Sequence, residues 1–314
     1  MTPATEGGTG SPMRILFVTS NRLGDAVLST GLLDHLVRSY PMARITVVCG
    51  PVAAGIFDRM PNRERTIQLQ KQRWRRHWLT LWAGVATTLW DLVVDVRGSA
   101  IALLVPARRR AEFRRSPGSK IAQLATVLRL SPPPLPVAWI DDADRRRVDM
   151  LLPAARPLVA LAPTANWAPK VWPAERFATL FRSLASAFVP GAVPVVLGGP
   201  GATDAMMAAP LLDALPDAID LTGRLTLPEI SAVLARVAVF IGNDSGLMHM
   251  AAAVGAPTIG LFGPTDAATY GPAGAASIAV VSPDRTMGAI TVARVVEVAQ
   301  ELLARIGVRA LMAG

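Results

Sequence analysis

Cysteine is almost absent from this chain of 314 residues: Cys49 stands alone, so an intrachain disulfide scaffold is excluded. Histidine is nearly as scarce. His35, His77 and His249 are the only three, and none lies near another or near Cys49, which leaves no zinc-type ligand set. No stretch approaches the roughly 18 uninterrupted apolar residues that a spanning helix needs. The first dozen residues (MTPATEGGTGSP) have neither a basic start nor an apolar middle, so they do not read as a signal peptide. A flexible leader over 1–12 is expected there, and with it a cytoplasmic address. Two nucleotide signatures are missing as well. The chain contains no G-x-x-x-x-G-K-[ST], and the loop after its first apolar run (SNRLGD) lacks G-x-G-x-x-G.

What is present is apolar and aliphatic. Hydrophobic residues make up 51% of the chain against 18% charged and 5% aromatic, and mean hydropathy is +0.37, so disorder is excluded. The length suits about two domains. Short apolar runs alternate with helical periodicity, which predicts βαβ units and parallel sheets. Strands are expected at 14–19, 44–49 and 91–95, with a helix over about 24–40. The alternation breaks across 131–157, where SPPPLP precedes a charged helix start (DDADRRRVDM) and PAARP. Proline-dense text continues neither a helix nor a central strand, so the linker belongs there. After it, strands are expected at 158–162, 193–197, 237–241 and 258–262, and helices near 173–189, 202–214, 227–236 and 245–254. The resulting division is 13–150, 151–290 and a C-terminal helix within 291–314.

Charge is divided between the halves. Residues 13–150 carry 22 Lys and Arg against 11 Asp and Glu, whereas 151–314 carry 10 against 11. A generally arginine-rich composition would raise both halves alike, so the asymmetry points the first half toward something anionic. Arg108, Arg109 and Arg110 are candidates for acidic sugars or phosphates, with solvated surface as the alternative. Trp74, Trp78, Leu81, Trp82, Val85 and Leu89 fall at helical spacing on one face. That face reads either as core or as a membrane-surface stripe.

Ligands of open α/β sheets bind beyond the carboxyl ends of the strands, and three segments there carry chemistry. Gly242-Asn-Asp-Ser-Gly-Leu-Met-His249 follows a strand and opens an Ala-rich helix, an anion site suited to a diphosphate. Asp244 as a plain N-cap is the alternative. Lys170, the only lysine of the second half, sits in PTANWAPKVWP and can neutralise a phosphate, unless it is simply solvated. Asp25, in Leu23-Gly24-Asp25 after the first strand, can take a proton from a hydroxyl nucleophile or cap its helix. Gly198-Gly-Pro-Gly-Ala-Thr-Asp204 is a glycine-rich turn whose Asp204 can reach ribose hydroxyls. Asp142-x-Asp144 lies far from any strand end and reads as a helix start, not a metal site.

Taken together, LGDAVLSTGLL, DLVVDVRG, KVWPAERFATL and GNDSGLMHMAAAVGAPTIGLFGPT resemble the heptosyltransferases, family nine of the glycosyltransferases, in the same order from about 13 to 306. The resemblance implies the GT-B architecture: two Rossmann-like α/β domains with parallel sheets facing one cleft, acceptor on the first and nucleotide-sugar on the second. It implies inverting transfer of heptose from ADP-heptose to the lipopolysaccharide inner core, with no bound metal or other cofactor and no nucleic acid. The partners implied are that donor, an anionic glycolipid acceptor and a peripheral contact at the cytoplasmic face of the inner membrane. It assigns Asp25 as general base, Lys170 and Thr164 to the donor phosphates, Ser245 and Gly246 to the diphosphate, and Asp244 to donor sugar hydroxyls. His249 matches a motif histidine. The family's glutamate near the ribose has no counterpart in this loop. A nucleotide-sugar epimerase on the same architecture and a degenerate transferase kept as a binding or scaffold protein are the alternatives.

Overall fold

A computed structural model describes residues 11–70, 73 and 76–307. Its chain divides into two compact units, Met1–Val137 and Ala138–Gly314.

In the first unit, five strands form one parallel sheet: β1 (Arg14–Val18), β2 (Arg44–Cys49), β3 (Arg63–Gln68), β4 (Trp90–Asp95) and β5 (Ala107–Glu112), in the order β3-β2-β1-β4-β5. The three central strands are apolar and buried, as strands covered on both faces must be. The edge strands RERTIQ and ARRRAE are largely exposed, and charged edges discourage pairing with another chain. The helix expected over 24–40 is two, α1 (Leu23–Leu28) and α2 (Thr30–Ser39). They break at Ser29, whose hydroxyl bonds Thr19 and the Ala26 carbonyl. Helices α3 (His77–Val85), α4 (Ile101–Leu104) and α5 (Lys120–Ala125) complete the unit.

The tryptophan stripe divides in two. Leu81 and Val85 are buried, whereas Trp82 and Leu89 are exposed, and Trp74 lies outside the described residues, as do the first ten of the expected leader. Buried Cys49 is shielded from chemistry, because burial pushes its thiol up to about 12.

The second unit begins with α6 (Asp142–Asp149) and continues through β6 (Leu158–Ala162), α7 (Ala174–Ala187), β7 (Val193–Val196), α8 (Ala202–Ala214), β8 (Ile219–Asp220) and α9 (Leu227–Leu234). It ends with β9 (Val239–Asn243), α10 (Gly246–Ala253), β10 (Thr258–Phe262), α11 (Ala267–Tyr270), β11 (Ser277–Val281) and α12 (Val292–Ile306). Its sheet is parallel, in the order β11-β10-β9-β6-β7-β8. The strand order reverses between β6 and β9, the switch point where doubly wound folds bind ligands. Trp172 plugs the core beneath that point, edge-on to Phe177, with its indole N–H donating to the Ile290 carbonyl.

The expected boundary after residue 150 lies instead at Val137/Ala138. Two packings explain the difference. Asp141 and Asp144 close a capping box that starts α6, and α6 packs on α9, so the charged helix belongs to the second unit. The prolines before it belong to the first: Val137 N–H donates to Thr30 Oγ1, and a Cβ on Gly31 would stand 2.5 Å from the Leu135 carbonyl oxygen and 2.7 Å from that of Pro134. The peptide between Ser131 and Pro132 is cis. With this boundary the charge division sharpens, to 19 cations against 8 carboxylates in the first unit and 13 against 15 in the second.

Gly31 offers a test of that packing. Alanine gains about 1 kcal/mol of helix propensity over glycine, but here its methyl meets backbone carbonyls that have no rotamer to yield. Gly31→Ala is expected to lose about 1–3 kcal/mol net, the usual range for overpacking, read as a lower urea midpoint. Equal or higher stability would show that the proline segment does not rest on α2.

Candidate active site

At the switch point, the carboxyl ends of β6 and β9 deliver two loops. The first runs through Pro163, Thr164 and Lys170 to Trp172, and the second through Asp244 and Ser245 into α10. Asn243, fully buried at the end of β9, joins them. Its Oδ1 accepts the Trp172 N–H at 3.1 Å, and its Nδ2 donates to the Pro163 carbonyl at 2.9 Å. Both ends of the amide are satisfied, so the lysine loop is pinned on either side of Lys170.

Lys170 Nζ then lies 2.7 Å from Asp244 Oδ2, with the two side chains only 18% and 9% exposed. Two alternatives from the sequence are thereby removed. Lys170 is not a solvated surface lysine, and Asp244 is not the cap of α10. The N-cap is Ser245, in extended backbone, and its side chain makes no capping bond. Ser245 Oγ is buried without a hydrogen-bond partner among the described residues. A buried hydroxyl without a partner, the first N–H groups of a helix without a side-chain cap and an adjacent ammonium make a cradle for an anion. His249 is buried one turn further along α10.

Thr164, 3% exposed, sits between this cradle and the glycine-rich turn, beside Gly198. A Cβ on Gly198 would meet the methyls of Thr222 at 2.8 Å and Thr164 at 3.2 Å, so only glycine lets the two threonines close in. Thr222 Oγ1 is a second buried hydroxyl without a partner among the described residues, and no motif in the sequence singles it out. Asp204, expected at the ribose, stands in the first turn of α8 and accepts the Gly199 N–H at 3.0 Å. One of its oxygens therefore closes the turn.

In the first unit, Asp25 is half-buried at the third position of α1 and its Oδ2 lies 3.5 Å from Ser20 Oγ. The N-cap of α1 is Arg22, so capping does not account for Asp25. The arginine triplet lies on edge strand β5, away from any strand-end loop, and its members differ. Arg110 donates to the carbonyls of Ala102, Val105 and Ala107 and so clamps the end of α4. Arg108 pairs with Asp91 at 3.2 Å, and Arg109 is exposed. Among the described residues, no group of three or more His, Cys, Asp or Glu side chains is arranged to hold a metal ion.

Residues 120–293 match glycosyltransferase family 9 (heptosyltransferase). The chain belongs to that family. It is 29% identical over 292 residues to lipopolysaccharide heptosyltransferase 1 of Pseudomonas aeruginosa, covering 81% of this chain and 79% of the relative. Its fold matches the family 9 glycosyltransferase of Veillonella parvula, with a TM-score of 0.77 at 21% identity over 93% of this chain and 97% of that one. It also matches the ADP-heptose lipopolysaccharide heptosyltransferase II of Escherichia coli, with a TM-score of 0.75 at 21% identity over 94% and 99%. The architecture is accordingly GT-B, with two Rossmann-like parallel-sheet domains, and the protein is a glycosyltransferase using a nucleotide donor.

The lysine–aspartate pair can be tested on stability alone. Lys170→Met leaves a buried, charged Asp244, which is expected to cost about 1–3 kcal/mol. Adding Asp244→Asn removes the stranded charge, so the double variant is expected to regain most of that loss in urea unfolding. If the two single losses merely add, the side chains are not coupled.

Proposed function

We propose that this glycosyltransferase moves heptose from ADP-heptose, with inversion and without a metal ion, onto a lipopolysaccharide-core-type glycolipid at the cytoplasmic face of the inner membrane. The observation that carries the reading is the Lys170–Asp244 pair beside the uncapped N-terminus of α10, where Ser245 Oγ is buried without a partner. A diphosphate supplies what those groups lack. Its oxygens accept from Lys170, Ser245 and the Gly246 N–H, with Thr164 completing the phosphate contacts, and Asp244, released from Lys170, accepts the donor sugar's hydroxyls. The 29% identity to a lipopolysaccharide heptosyltransferase supports the choice of heptose and acceptor.

In the transfer step, Asp25 takes the proton of the acceptor hydroxyl as its oxygen attacks the anomeric carbon from the face opposite the diphosphate. The bond from that carbon to the diphosphate oxygen breaks, and negative charge collects on the leaving group. Lys170 and the α10 dipole are fixed before the reaction begins, so they stabilise that charge without reorganising.

Calorimetric titration of ADP-heptose, with and without EDTA, tests the donor site. Affinity is expected to be indifferent to EDTA and at least about tenfold weaker in Lys170→Ala, the loss of one charge-assisted hydrogen bond of ~1.5–3 kcal/mol. Affinity that EDTA abolishes, or that Lys170→Ala leaves unchanged, contradicts the phosphate assignment.

Asp25→Asn tests the base separately. The amide keeps the shape of the side chain and loses its basicity, so kcat is expected to fall about 10²- to 10⁴-fold. Donor affinity and melting temperature should stay close to the wild type, because Asp25 caps nothing. Near-wild-type turnover at saturating substrates would remove Asp25 from the mechanism.

A further inference from the structure

Helices α3 and α4 of the first unit lie side by side, tied by a hydrogen bond from Trp82 Nε1 to the Leu104 carbonyl at 2.9 Å. Between them runs an open groove of about 650 Å³, walled chiefly by Trp78, Leu79, Trp82, Ile101 and Leu104. The large apolar side chains around it face outward: Leu79 is 69% exposed, Leu103 66%, Leu104 61% and Trp82 45%. Four such residues on two adjoining short helices are unlike the isolated exposed leucines that any surface carries.

The charge around this patch is mostly positive. Segments 65–90 and 96–111 hold nine lysines and arginines, and the two carboxylates between them are engaged, Asp91 by Arg108 and buried Asp95 by Ser99 and the backbone N–H groups of 97–99. The structure brings several of those cations to the patch itself. Arg97 stands 5.0 Å over the Trp78 ring, Arg65 donates to the Gly84 carbonyl near the end of α3, and exposed Arg76 precedes α3. Arg110 holds the carbonyls that close α4.

We propose that the α3–α4 face is a docking surface for a bilayer rich in anionic lipid. Leu79, Leu103 and Leu104 enter the acyl boundary, Trp82 sits at the interface, and Arg65, Arg76 and Arg97 meet the headgroup phosphates. Buried apolar area and attraction to anionic headgroups are the two terms that fix an interfacial element to a membrane. The indole of Trp82, apolar in body with a polar edge, suits the boundary between them. The proposal deepens the membrane-side reading above by naming the surface it uses. It requires no particular donor or acceptor sugar.

Co-sedimentation of the full chain with vesicles tests it, without nucleotide or acceptor, so failure of the transfer reading is scored by a different assay. Partition onto vesicles of phosphatidylcholine with 30% phosphatidylglycerol is expected to exceed that onto phosphatidylcholine alone by about tenfold or more, and to weaken as salt screens the arginines. Leu79→Ser/Leu103→Ser, both exposed and outside the donor site, should lower partition onto the anionic vesicles about tenfold while ADP-heptose affinity and the melting temperature hold. A charge-only surface would bind these vesicles equally well with and without the leucines, and that result overturns the proposal. So does absence of wild-type binding, or a concentration-dependent dimer in sedimentation velocity that the double variant abolishes, which would assign the face to a second copy of the chain.

Discussion

The amide of Asn243 is the constraint on which the candidate site depends. A parallel doubly wound sheet can only offer loop ends at its switch point, and loops alone do not hold a lysine within bonding distance of a carboxylate. Asn243 sits at the last position of β9 with no exposure, donating across to Pro163 and accepting from Trp172. Those two partners bracket the lysine loop. Trp172 is in turn anchored in the core by its indole bond to the Ile290 carbonyl, two residues before α12 begins. The lysine loop is thus braced on the side of the proposed donor site, as electrostatic preorganisation demands.

A division of labour follows from charge. The second unit is close to neutral, yet it presents a local cation and a helix N-terminus to one point. The first unit carries a large excess of arginine, and much of it is committed to structure. Arg110 clamps α4, Arg97 bonds Asn21 and covers Trp78, and Arg108 pairs with Asp91. These roles fix the side chains and leave their charge in place. An arginine that holds a carbonyl still contributes its field, so the structural and electrostatic uses of the excess coexist.

How far the sequence could be read depended on where each residue's partners lie. The central strands β1, β2, β4, β6, β9 and β10 are continuous apolar runs, and their burial on both faces is what made them legible. The edge strands β3 and β5 are RERTIQ and ARRRAE, half in solvent, and neither carries an apolar run, so nothing in the sequence marks them as strands. Ser29 broke one expected helix into two through a hydroxyl bonded to Thr19, a contact that no periodicity reports. In the site, the strand–GNDSG–helix pattern was legible because cap, dipole and loop are local. The use of Asn243 was not, since its partners stand 71 and 80 residues away in the chain. Nor was the choice between Asp244 as a cap and as a partner of Lys170, which only the lysine's distance decides.

The pairing of Lys170 with Asp244 also explains how a lone lysine can stand in a largely buried site. An ammonium only 18% exposed and without a counter-charge is costly. Asp244 offsets that cost with a carboxylate oxygen 2.7 Å away, and the contact fixes the direction of the lysine. The same carboxylate, however, competes with any anion for that ammonium. An anion must therefore supply more than charge to displace it: it must also satisfy Ser245 Oγ and the first N–H groups of α10, which Asp244 does not cap. A diphosphate has oxygens enough to do both, and a sugar attached to it brings hydroxyls that give the displaced carboxylate new donors. A simple carboxylate or chloride has neither. If the donor binds as proposed, the ion pair acts as a selectivity device, resisting anions that offer charge alone and yielding to one that carries a sugar as well.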